Sequence, residues 1–314
     1  MTAQNTINFV SSHKLNYDVL LADQRLDVTI AQGYIEEIQQ RENEKAKQLH
    51  EYNLDDLRNY FQQNGYTDLG KSGNVKQLFE KNQPVKYLNT EGQLVEKDIL
   101  IRVTVISPNG QESLEAFTEA ILGSEVLIYE GHGRRGLGPD FDAINIPDGN
   151  FLISLKSSLH AKGTVQAPGD RTYPKVSVQE NKLEKLTVEN RWGENIKYRI
   201  WFFNACNTRF YLDEFRSDLL PADLRASTDI LLTQNLVSLY TGAATSLAFL
   251  DHLLKALPTE DLPSKLFHTQ QDILLKSGIY DPKIIATYLP CYFWNFDNFV
   301  TKKSRPVTKK KRNG

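Results

Sequence analysis

Hydrophobic positions recur at two different spacings along the chain, and the change falls near residue 97. Before it, "DVTIAQGYIEEIQQRENEKAKQLHEYN" and "NLDDLRNYFQQNG" carry apolar residues at helical intervals, with Asn53 placed to cap a helix and Gly65 placed to stop it. That pattern predicts a mostly helical N-terminal extension over residues 1–97. After it, "ILIRVTVISPNG" is a β-branched run closed by a Pro-Asn-Gly turn, and "QESLEAFTEAIL" sets Leu114, Phe117 and Ile121 on one helix face. A second apolar run, "EVLIYEGHG", follows at once. Strand, helix, strand with tight connections is the pattern of a parallel βαβ unit, whose strands are apolar throughout because both faces are covered. It returns in "KYRIWFFNAC" and "DILLTQNLV", followed by the helical "AATSLAFLDHLLKAL". The expectation is an α/β domain over residues 98–300, a mostly parallel sheet with helices on both sides, ending in a basic disordered tail at 301–314.

Length and charge narrow the picture without naming a ligand. The 314 residues, 40% of them hydrophobic, can bury a full core, and a formal net charge of -2 creates no global field that favours nucleic acid or a membrane surface. The opening "MTAQNTINFVSSHKLNYDVLLADQRLDV" has no basic leader before a 7 to 15-residue apolar run, and no stretch approaches the roughly 20 apolar residues of a bilayer span. A cytoplasmic location is therefore expected. Two cysteines, Cys206 and Cys291, are too few for a disulfide scaffold and fit a reducing compartment.

Open parallel sheets carry their functional groups just beyond the carboxyl ends of the strands. His132 follows the run "EVLIYEG" and Cys206 follows "YRIWFFNA", so two strands can present an imidazole and a thiol at one edge. A Cys with a His is the minimum for thiol catalysis, since the imidazole promotes the thiolate and later protonates a leaving amine. Gly131 and Gly133 allow a sharp turn and let a backbone N–H approach a substrate carbonyl.

A hydrophobic block ending in His-Gly, "VLIYEGHG", and a later one ending in Ala-Cys, "IWFFNAC", resemble the caspase-like cysteine peptidases, a group that includes caspases, metacaspases, gingipains, legumain, separase and the CHAT domains. The resemblance covers about residues 98 to 256. It implies Cys206 as nucleophile, His132 as general acid and base, and the backbone N–H groups of Gly133 and Cys206 as the oxyanion hole. It also places Asn204 where the caspase "QAC" pattern has a Gln that shapes the primary specificity pocket. The chain departs from caspases in the "NT" after Cys206 and in a His-to-Cys separation of 74 residues, against roughly 50. Caspase preference for Asp is accordingly not carried over.

Other motifs are weaker. "GRRGLGPDFD" lacks both the dinucleotide spacing and the Walker Lys-Ser/Thr. Asp140, Asp142 and Asp148 match no EF-hand loop. His13, His50, His160, His252 and His268 make no zinc-ligand spacing with a Cys, so neither a metal site nor a cofactor is expected. Cys291, in "LPCYFWNFDNF", reads as a packing residue, and the tail's Lys302, Lys303, Arg305, Lys309, Lys310, Lys311 and Arg312 as a solvated terminus.

Residues 156–195, polar and broken by Gly163, Pro168, Gly169 and Pro174, read as a crossover overhanging the cleft. Family members are cleaved near this place, and Lys156, Lys162, Arg171 and Lys175 suit cleavage by a basic-specific enzyme. If the loop after His132 and the positions around Asn204 line the primary pocket, the long Arg134 and Arg135 side chains are expected at its rim, turned to solvent, and the short Asp140 and Asp142 carboxylates at its floor, which favours a basic residue before the cleaved bond. The reading is a cysteine endopeptidase with a Cys206–His132 dyad acting on a protein or peptide, with room for a regulatory protein partner. Its alternatives are a catalytically idle pseudo-peptidase serving as an interaction module and a nucleic-acid-associated factor led by the tail.

Overall fold

The parallel run expected after residue 98 forms, but its central strand comes from the first hundred residues. The structure, a computed structural model, describes residues 15–133, 138–143, 150–151, 165–166, 172–173, 185–186, 189, 191–192, 197–216, 220–278 and 291–295. In chain order the described helices are α1 (Tyr17–Leu20), α2 (Leu49–Gln63), α3 (Gly110–Gly123), α4 (Leu212–Arg216), α5 (Ala222–Ala226), α6 (Gly242–Leu254) and α7 (Leu262–Ser277). The strands are β1 (Arg25–Gln32), β2 (Ile38–Gln39), β3 (Lys47–Gln48), β4 (Thr67–Ser72), β5 (Lys76–Leu88), β6 (Leu94–Ile106), β7 (Val126–Gly131), β8 (Val165–Gln166), β9 (Thr172–Tyr173), β10 (Arg199–Ala205), β11 (Thr228–Gln234) and β12 (Cys291–Asn295). Eight of them form one sheet in the order β12-β11-β10-β7-β1-β6-β5-β4. The five from β11 to β6 are parallel, β12 and β5 run against them at the two ends, and β4 pairs antiparallel with β5 at the outer edge. This is the α/β class expected, with a mostly parallel sheet between helices.

Residues 1–97 are not a mostly helical extension. Their described part supplies β1 at the heart of the sheet, β4 and β5 at its edge and the start of β6, so the boundary drawn at residue 97 cuts through a strand. "RLDVTIAQ" centres on the β-branched Val28, Thr29 and Ile30 and is buried along most of its length, as a strand covered on both faces must be. Helical spacing is real only over α2, which starts at Leu49 rather than at Asn53. Gln48 caps it, and the Glu51 carboxylate accepts the Gln48 N–H at 2.9 Å. Asn53 lies inside that helix, buried, its side-chain amide donating to the Leu239 carbonyl, while Gly65, at φ +76°, does follow the helix end.

Each face of the sheet has its own core. On one, Val28, Ile30, Ile128, Ile200 and Phe202 pack against Leu57 and Phe61 of α2, Phe249 and Leu250 of α6 and Leu266 of α7. On the other, Leu127, Tyr129, Trp201 and Phe203 meet Leu114, Phe117 and Ile121 of α3, Phe215 of α4 and Leu224 of α5. The alternation sends neighbouring side chains of β7 and β10 to opposite cores. Every residue of both strands is buried. At about 1.5–3 kcal/mol for each large apolar side chain removed from water, these central strands hold the sheet edge above them rigidly. Among the described residues, no helix is long and apolar enough to cross a membrane.

Candidate active site

Pairing of β7 with β10 sets Glu130 opposite Asn204 and Gly131 opposite Ala205, so His132 and Cys206 leave adjacent strands at the same height. Glycine makes that approach possible. A β-carbon at Gly133 would collide with the carbonyl oxygen of Cys206 and stand 3.1–3.2 Å from its carbonyl carbon and nitrogen, so the two motifs pack backbone against backbone. At Gly131, φ is +154° and a β-carbon would reach within 2.7 Å of the Tyr129 hydroxyl. Two phenols fasten the turn. The Tyr129 hydroxyl donates to the His132 carbonyl at 2.9 Å, and the Tyr211 hydroxyl donates to the Gly133 carbonyl at 2.9 Å.

Cys206 is partly exposed and starts a tight turn. The Val237 N–H donates to its sulfur at 3.3 Å, an interaction that strengthens when the sulfur is negative. Asn207 adopts a left-handed conformation at φ 54°, and its N–H donates to the Asn235 carbonyl at 2.8 Å, which ties the turn to the loop after β11. The imidazole has a partner that sequence reading missed. His132 Nε2 lies 2.8 Å from Glu36 Oε2 and 3.9 Å from Glu37 Oε2. Both glutamates sit in the loop after β1, which is held by the Gly33 N–H donating to the Glu130 carbonyl at 2.7 Å, the Tyr34 N–H to the Asp140 carbonyl at 3.1 Å, and the Leu49 N–H to the Glu37 carbonyl at 2.9 Å. His50, its pKa lowered by burial, accepts the Ile35 N–H at 3.2 Å.

Comparison with protein-family models, curated proteins and solved structures finds no match.

The residues expected to line a pocket are buried. Asn204 is buried, with its carbonyl oxygen accepting from the Tyr292 hydroxyl at 3.0 Å, which in turn accepts from Gln270 at 2.5 Å. Asp140 and Asp142 are buried in the segment behind His132, where Asp140 Oδ1 accepts the Asp142 N–H at 3.3 Å and the Asp140 N–H donates to Tyr129. Neither carboxylate is an exposed wall that could meet a basic substrate residue. Arg134, Arg135, Asp148, Lys156, Lys162, Arg171, Lys175 and the tail lie outside the described residues. Cys291 opens β12 opposite Gln234, a sheet-edge position away from His132.

A buried polar layer lies one residue below the edge. Gln32, Glu130 and Asn204 sit side by side in register on β1, β7 and β10, all within 1% of complete burial. Glu130 accepts from Ser246 of α6 at 2.6 Å, and burial pushes its carboxyl up to about 8. Gln32 Oε1, Glu130 Oε1 and Asn204 Nδ2 have no hydrogen-bond partner among the described residues.

Sequence reading missed Glu36 and Glu37 because it took residues 1–97 for helix. The available signal was the β-branched "DVTIAQ" ending in Gly33, a third strand end, with two acids directly after it.

Proposed function

We propose that the chain is a cysteine endopeptidase of the caspase-like kind, with Cys206 as nucleophile, His132 as acid and base, and Glu36 as the residue that orients His132. The observation that carries this reading is the convergence of three strand ends: the Gly133 backbone packed on Cys206, and the Glu36 carboxylate on Nε2 of His132. A carboxylate on Nε2 fixes the tautomer with its proton there and leaves Nδ1 as the basic nitrogen.

Chemistry follows from these atoms. The Cys206 sulfur, deprotonated by His132, attacks the scissile carbonyl, and the oxyanion settles against the backbone N–H groups of Gly133 and Cys206. Imidazolium, stabilised by Glu36, protonates the departing amine as the C–N bond breaks. Water, deprotonated by the same imidazole, then opens the thioester and returns the thiol. The substrate class is a protein or peptide, and a reducing cytoplasm suits a lone nucleophilic thiol.

The test is labelling of the full chain with a peptidyl thiol-reactive electrophile, read by mass spectrometry. Rapid modification of Cys206 that is lost in His132→Ala supports the reading. Modification no faster than that of an unfolded thiol would leave an idle scaffold that serves as an interaction module.

A further inference from the structure

Glu36, Glu37 and His132 also meet the requirements of a metal site. Their ligand atoms, two carboxylate oxygens and one imidazole nitrogen, all lie within 4.8 Å of one another. Metal bonds of about 2.0–2.1 Å in a tetrahedron place neighbouring ligand atoms about 3.4 Å apart. The separations from Nε2, 2.8 Å to Glu36 and 3.9 Å to Glu37, bracket that value, and the two carboxylates approach within 4.8 Å of each other.

Proton chemistry alone leaves one acid to solvent. A single Nε2–H donates to a single carboxylate, and Glu36 takes it. Glu37, at 3.9 Å, is beyond hydrogen-bond length, and among the described residues no N–H or O–H donates to its carboxylate. Two neighbouring negative charges repel, and a dication in place of the proton would satisfy both. Approach is open, because the Glu37 side chain is 48% exposed and that of His132 17%. The donor set selects the ion: an imidazole nitrogen with two carboxylates suits a borderline transition ion and not calcium, which takes oxygen ligands.

We propose that these three side chains bind one divalent transition ion of zinc type, with a water in the fourth position, and that occupancy and the orienting hydrogen bond of His132 exclude each other. Binding takes the Nε2 lone pair, so the single ring proton moves from Nε2 to Nδ1, which can then no longer accept the proton of the thiol. Resting on the peptidase reading, the consequence is reversible silencing, because the bound imidazole no longer carries a proton between thiol, amine and water.

The experiment is calorimetric titration of the untagged full chain with zinc chloride after chelator treatment, with thermal melting in parallel. The expected result is one equivalent bound by the parent, weakened at least tenfold in Glu37→Gln and changed less than threefold in Cys206→Ser. At a fixed zinc concentration the melting temperature should rise less in Glu37→Gln than in the parent, as mass action requires. No stoichiometric binding, or affinity lost in Cys206→Ser and retained in Glu37→Gln, overturns the proposal, the latter by showing that the thiol holds the metal. Calcium chloride should give no heat at this site; equal binding of calcium would overturn the choice of ion. These readouts need no turnover, so they stand apart from the labelling test of the peptidase itself. If turnover is present, zinc should stop it and a chelator should restore it, and the zinc concentration that halves each protein's own metal-free rate should rise at least tenfold in Glu37→Gln.

Discussion

Glu36 and His132, 96 positions apart in the chain, meet at 2.8 Å across two neighbouring strand ends, and the imidazole therefore has a defined orientation before any substrate arrives. Replacing Glu36 by Gln should keep a group of the same size while removing the carboxylate that accepts from Nε2. The expected outcome is a fall of roughly 10–100-fold in kcat with KM nearly unchanged. A change confined to KM would show that Glu36 contacts substrate instead of orienting the base.

Cys206→Ala should separate chemistry from folding. Loss of one sulfur should cost on the order of 1–2 kcal/mol of stability, while on the proposed peptidase reading its loss should remove several decades of rate. Alkylation of the parent should modify Cys206 faster than Cys291. Turnover at the parent rate in the alanine variant would make the thiol a bystander.

Gly133→Ala places a methyl group where the Cys206 carbonyl oxygen stands, with backbone on both sides and no flexible side chain to yield. A loss of roughly 1–3 kcal/mol or more is expected, along with slower labelling of Cys206. Gly123, at the end of α3, has open space around its α-carbon and supplies the control. Gly123→Ala should be neutral or stabilising by about 0.5–1 kcal/mol. Equal denaturation midpoints for the two variants would show that the strand ends are not in backbone contact.

Glu130 should give the fold a pH dependence of identifiable sign. Its folded pKa, raised to about 8 by burial, exceeds the ordinary value of 4.5, so the folded state holds a proton that the unfolded chain releases. Stability is fully present below the unfolded value near 4.5 and is lost as pH rises through about 8, by on the order of several kcal/mol. Glu130→Gln preserves an acceptor for Ser246 and cannot ionise. Denaturant unfolding at pH 5 and pH 8.5 should show a smaller alkaline loss in this variant; identical losses would mean that another group sets the dependence.

Periodicity is a local property, and the features legible in the sequence are local ones. The apolar runs ending at Gly131 and Ala205 announce two buried strands, and Leu114, Phe117 and Ile121 announce the buried face of α3, because side-chain alternation depends on nearest neighbours along the chain. The same rule went astray over "RLDVTIAQ", whose apolar positions lie close to a charged helical stretch and were absorbed into its spacing. A strand buried on both faces loses the period-two alternation that would have set it apart.

By itself the sequence determined the α/β class, the strand ends that carry His132 and Cys206, and the glycines beside them. Only the tertiary structure decided which strands are neighbours: β1 slots between β6 and β7, and that insertion delivers Glu36 and Glu37 to an imidazole nearly a hundred residues away. It also decided that Asn204, Asp140 and Asp142 face inward. Strand order is set by which faces bury most apolar surface together once the chain has crossed over. That non-local balance leaves no mark on the spacing of residues within any one strand.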